Sequence, residues 1–107
     1  MALFDDPDTA LDCARALTRG VRDLGLEIRV GVHTGVVEFG DGAVAGMAVN
    51  IAARVMTKAD ASEILVTQTI RDLLIGSTTR FEPRAVHTLK GVPERFALYA
   101  VANGRDS

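Results

Sequence analysis

The segment Gly46 to Val55, GMAVNIAARV, sets Asn50 and Arg54 four residues apart in a stretch that is otherwise apolar. A four-residue step stacks two side chains on one face of a helix. An amide and a guanidinium held side by side can grip the oxygens of a phosphate and a sugar. Arg offers a planar fork of donors, and Asn offers a donor and an acceptor. An Arg beside an Asn on a helix is more commonly a solvated stripe at the edge of a buried face, and both readings stand at this point. The other reactive side chains carry less. His33 and His87 lie in distant segments with no ligand spacing around either, so His33 reads as a turn residue that orders a hairpin. Cys13 is the single cysteine, with no partner for an internal disulfide, and its helical surroundings suit a small buried thiol.

The helix carrying the pair is expected over Gly46 to about Lys58. It lines up Met47, Ile51 and Val55, with Ala48 and Ala52 beside them and Asn50, Arg54 and Thr57 as the adjoining polar stripe. The pair then lies at the rim of a buried face, where a site at a subunit interface would be built. Gly40, Gly42 and Gly46 around Asp41 to Ala45 make a loop that could bring backbone close to a ligand. It lacks the Gly-Lys-Ser/Thr ending of a phosphate-cradling loop.

Upstream, Asp6-Pro7 is a helix start and Gly25 a left-handed stop, with Leu11, Ala14, Leu17, Val21 and Leu24 as one apolar face. Ile28, Val30 and Val32 alternate as a strand that turns at Thr34-Gly35 and returns over Val36 to Phe39. Downstream, Ile64 to Thr67 reads as a strand. Gln68 to Ile75 reads as a helix with Ile70, Leu73 and Leu74 inward and Gly76 as its stop. Strands over about Thr79 to Leu89 and Arg95 to Val101 follow, the second apolar on both faces and so covered on both sides. The tail Asn103 to Ser107 is expected to be disordered.

At 107 residues and 48% hydrophobic content the chain suits one core and is too short for two. A net charge of −2 without any Lys/Arg block argues against nucleic acid as a partner. No apolar run reaches the roughly 18 residues of a membrane span, and two Asp by position 6 are unlike a cationic signal start, so a cytoplasmic location is expected.

Four ordered motifs resemble the C-terminal part of a class III nucleotidyl cyclase catalytic domain, the family that makes cyclic 3′,5′-monophosphates from ATP or GTP. They are Arg29 to Gly35 (RVGVHTG), Gly46 to Val55, Glu63 to Thr67 (EILVT) and Leu89 to Val101 (LKGVPERFALYAV). Phe4 to Ala14 (FDDPDTALDCA) is similar to the family's helix after its second metal-binding carboxylate. The resemblance implies an α+β fold, a truncated cyclase sandwich derived from the ferredoxin-like arrangement, with helices on one face of a mostly antiparallel sheet. Residues 1–102 would form the partial domain.

By the same resemblance Asn50 orients the ribose and Arg54 neutralises the α-phosphate as the 3′-oxygen attacks. Seven positions before Asn50, where adenylate-forming relatives carry a base-reading Asp, stands Ala43. A Lys that holds terminal phosphates in some relatives is replaced by Val92, leaving Lys90 as a weak substrate contact. The two Asp that hold Mg²⁺ or Mn²⁺ with ATP fall ahead of Met1, so no metal ligand is assigned within the chain, and Met1 is expected to match an internal Met of a full-length domain. Without those strands the middle of the sheet would be stripped. A homodimer, with exchanged elements as one route to it, or a full-length cyclase partner would cover the exposed edges. Two functions follow. One is a dimerising or regulatory module in cyclic-nucleotide signalling, inactive alone. The other is the half-site of an adenylate cyclase, a lyase, completed by a partner's aspartates.

Overall fold

The computed structural model describes residues 2–34, 36–40, 51–88 and 95–102. In chain order these form β1 (Ala2–Leu3), α1 (Pro7–Asp23), β2 (Arg29–His33), β3 (Val36–Gly40), α2 (Ile51–Met56), β4 (Ile64–Thr67), α3 (Gln68–Leu73), β5 (Phe81–Thr88) and β6 (Arg95–Val101). The strands make one sheet in the order β1-β3-β2-β4-β6-β5, antiparallel throughout except for the β2–β4 pair. This is a mixed α+β fold on a mostly antiparallel sheet, as the sequence implies.

The long first helix follows from local chemistry. Asp6 is its N-cap, accepting from the Thr9 backbone N–H at 3.1 Å and the Thr9 hydroxyl at 2.8 Å, and Pro7 opens the first turn. Those bonds hold the Asp6 carboxyl below its usual range, the Thr9 hydroxyl contributing most. Leu11 and Ala14 are buried as the periodicity predicts, and Ala10 is buried beside them. Leu24 is not. The helix ends one residue earlier, Gly25 takes φ +80°, and Leu24 is left 77% exposed.

Two corrections concern the sheet. Helices were expected on one face, but they occupy both. Val30 and Val32 of β2 and Ile64 and Val66 of β4 pack with Ala10, Leu11 and Ala14 of α1 and Ile70 of α3. Leu65 of β4 with Leu98 and Ala100 of β6 instead meets Val55 and Ala59, on and just after α2. Successive strand residues point to opposite faces, so the two clusters lie on opposite sides of the sheet. β3 ends and β4 begins at the same end of the sheet on either side of β2, and α2, in the link between them, lies against Gly31 on the face opposite α1. Nor is the sheet stripped in the middle. β2, β4 and β6 are each paired along both edges, leaving the outer edges of β5 and of the two-residue β1, and β3 beyond Val37, as the open sides among the described strands. A further correction is local: α3 ends at Leu73, which is 61% exposed, while Leu74 turns in at 4% and Gly76 makes the stop at φ +92°.

Candidate functional site

Of the residues singled out by the sequence, Arg54 is described and Asn50, Ala43 and Lys90 lie outside the described residues, as does Val92. Arg54 stands on α2, where Ala52, Ala53, Val55 and Met56 are buried while Ile51 and Arg54 are only partly so. The side chain therefore sits at the rim of the buried face. Among the described residues none makes a hydrogen bond or ion pair with its guanidinium. The backbone beneath it is fixed, since the Thr57 hydroxyl donates to the Arg54 carbonyl at 2.6 Å.

What seats α2 is mostly the sheet. Gly31, at the centre of β2, faces the helix, and a Cβ built there would overlap the Ala52 carbonyl oxygen and the Met56 amide nitrogen. Only a residue without a side chain lets the helix backbone lie this close. At the far end of the helix Arg29 Nη1 donates to the Ala59 carbonyl at 2.7 Å, meeting a cation-friendly helix terminus. Arg29 and Gly31 share one face of β2, two residues apart.

His33 completes that face, and here the sequence reading missed a contact. It is the last residue of β2, partly buried, with Nδ1 2.8 Å from the Thr67 hydroxyl and its ring edge-on to Phe96 at 6.0 Å between centroids and 83° between planes. Burial lowers its proton affinity below the usual 6.5. The turn expected at Thr34 is present with φ 51°, but His33 does more than order it. The available signal was the period of two that places residues 29, 31 and 33 on one side of the strand.

A cleft of about 640 Å³ opens on the other end of the sheet, between the last turns of α1 and the starts of β4 and β5. Arg15, Arg19, Arg22, Glu63 and Arg84 line it, and Arg54 does not. Arg84 Nε donates to Glu63 Oε2 at 2.8 Å, and this bond raises the Arg84 proton affinity further. Among the described residues no group of three or more His, Cys, Asp or Glu is placed to hold a metal ion. No helix among them is long and apolar enough to cross a membrane.

Residues 8–103 match the sequence profile of the adenylate and guanylate cyclase catalytic domain. This chain therefore belongs to that family. Among solved structures it is similar to an adenylate/guanylate cyclase/hydrolase from Silicibacter pomeroyi, at TM-score 0.65 and 19% identity, over 92% of this chain and 64% of that one. It is also similar to the adenylyl cyclase CyaB from P. aeruginosa, at TM-score 0.55 and 23% identity, over 89% of this chain and 54% of that one. At such identities the likeness is one of fold, and the chain spans less than two thirds of either structure. Among curated proteins none matches the sequence.

Proposed function

We propose that these 107 residues act as a cyclase-homology module in cyclic-nucleotide signalling, dimerising with or regulating a partner, and do not complete a catalytic site by themselves. The observation that supports this reading is the position of Arg54, held on a helix seated against the sheet yet at the rim of its buried face. A guanidinium so placed is available to a second surface. The resemblance assigns the cation-holding carboxylates to segments other than these, so in an active assembly they come from another stretch of polypeptide. A second copy of the chain, or a full-length cyclase, is the partner proposed, in the cytoplasm.

The second reading is favoured by the same residue. With Asn50 four positions before it in the sequence, Arg54 would form half of an adenylate cyclase site, turning ATP into cyclic AMP and pyrophosphate with two Mg²⁺ or Mn²⁺ held by the partner. The chain's own part is positioning and charge: Asn50 orients the ribose and Arg54 meets the negative charge that builds on the α-phosphate. An arginine in that role contributes on the order of 10³-fold or more to phosphoryl transfer. Ala43 offers no group to read a base and Val92 none to hold the terminal phosphates, which weakens substrate binding by this half.

One assay separates the readings. The purified chain is incubated with ATP or GTP and Mn²⁺, alone and mixed with a full-length cyclase whose own Asn/Arg pair has been inactivated. Cyclic product from the chain alone overturns the first reading. Activity restored only in the mixture, and lost with Arg54→Ala, supports the second.

A further inference from the structure

The C-terminal ends of β2 and β4 are joined to the start of β6 by three side chains. His33 is the last residue of β2 and Thr67 the last of β4, and their side chains meet at 2.8 Å. Thr67 is fully buried and is also the N-cap of α3, a position from which a threonine hydroxyl ordinarily serves the first turn of the helix. Here it makes no such bond and is turned to His33 instead. The third member, Phe96, meets the imidazole edge-on and packs on the cluster of Val55, Ala59, Leu65, Leu98 and Ala100. Ile51 packs on that same cluster, and Ile51 lies one turn before Arg54.

We propose that His33 is a positioning residue of the Arg54 site, its neutral imidazole clamping Thr67 and Phe96 so that α2 and β6 start from a fixed place. The proposal rests on the reading of Arg54 as a residue offered to a second surface. When Nε2 carries the proton, Nδ1 accepts from the Thr67 hydroxyl. In the imidazolium both ring nitrogens donate, so the hydroxyl must turn round and a charge must be housed in a partly buried place. The clamp then loosens, and Phe96 carries the change to the cluster under α2.

The groups facing His33 are Thr67 from β4, Phe96 from β6 and, across the hairpin, Val36 from β3. The ionisable side chains on the elements around it are Glu38 on β3, Arg54 on α2, Arg71 and Asp72 on α3, and Arg95 and Tyr99 on β6. His87 of β5 stands opposite Phe96 in the ladder. Burial alone accounts for the shift in the proton affinity of His33, so none of these drives it.

The test is an NMR titration of the 107-residue chain from about pH 8 to about pH 5, across the ordinary imidazole range. The amides of Ile51 to Arg54 and of Phe96 should move with the same midpoint as the His33 ring proton, and that shared midpoint should vanish in His33→Gln. A His33 ring that titrates while the α2 amides stay still overturns the proposal. Should His33→Gln fail to fold, Thr67→Val supplies the second arm. Removing the hydroxyl should displace the α2 amides even at the upper end of the range and raise the His33 midpoint. A Thr67→Val chain with both unchanged also overturns it. No nucleotide is turned over here, so a chain that shows the shared midpoint yet fails the complementation assay sinks the functional reading alone.

Discussion

Helices α1 and α2 reach stability by opposite routes. α1 has 17 residues, a capped start and an apolar stripe of its own, and at that length a helix is near the limit of holding together in water. The described part of α2 has six residues, well below that limit, and is held by what lies under it: the bare backbone of Gly31, the Arg29 bond to the Ala59 carbonyl just beyond it and the cluster around Leu98. The candidate functional residue stands on the second kind of helix. The position of Arg54 is therefore a tertiary property, set by β2, and changes far from the guanidinium should move it.

The largest effect should come from Gly31→Ala. The new methyl must displace helix backbone, not a flexible side-chain tip, so the cost should reach about 3 kcal/mol, the upper end of ordinary overpacking. Urea unfolding measures it, and a loss below about 1 kcal/mol would show that α2 is not seated as described. Where the variant still folds, Arg54 should shift with the helix, and complementation of an Asn/Arg-deficient cyclase should fall further than stability alone explains.

Next is Arg29→Met, which keeps the aliphatic stem and removes the bond to the Ala59 carbonyl. A partly buried hydrogen bond from a charged donor is worth about 1.5 kcal/mol. The loss should concentrate at the end of α2, seen as faster amide exchange at Lys58 and Ala59, whose N–H groups bond Val55 and Met56 carbonyls. Equal acceleration in α1 would refute the local role.

Acid should then distinguish the two faces. Burial holds the folded-state proton affinity of His33 below the usual 6.5, so below that pH the unfolded chain binds more protons than the folded one. Stability from this group is complete above the ordinary histidine range and is lost as the pH falls through 6.5 towards the folded value. Denaturant midpoints measured across that range should decline for the native chain and decline less for His33→Gln. Identical slopes would remove His33 from the account.

The legible parts of the molecule were those whose cause is local. Asp6-Pro7, Gly25 and steps of three and four gave α1 to within one residue. Alternation gave β2, and the apolar residues on both faces of β6 gave a strand covered on both sides, with Leu98 and Tyr99 packed into opposite clusters. Leu24 was read inward because periodicity does not say where a helix stops, and it falls just past the end of α1, whereas Leu73 is still helical but lies off the line of Ile70 and Leu74 that is buried. The distribution of helices over both faces was not legible. Gly31 has no side chain to contribute to a pattern, and its meaning appears only when Ala52 and Met56 lie against it. His33 looked like a turn residue because its partner is 34 positions away. Of the site, Arg54 was legible as a residue at the edge of a buried helix face, and its chemistry came from resemblance, not from spacing.

The smallest prediction tests the contrast with a second glycine. Gly20 lies in α1, exposed, and a Cβ there would meet nothing within 4 Å. An Ala at this position removes backbone freedom from the unfolded chain and improves helix propensity, so Gly20→Ala should stabilise by about 0.7 kcal/mol. The same substitution at Gly31 has the opposite sign and several times the size. If Gly20→Ala also destabilised the protein, α1 would need something other than its own cap and stripe, and the division between the two helices would fail. If it stabilised the fold while leaving the Ile51 to Arg54 amides unshifted, the independence of α1 from the Arg54 face would stand.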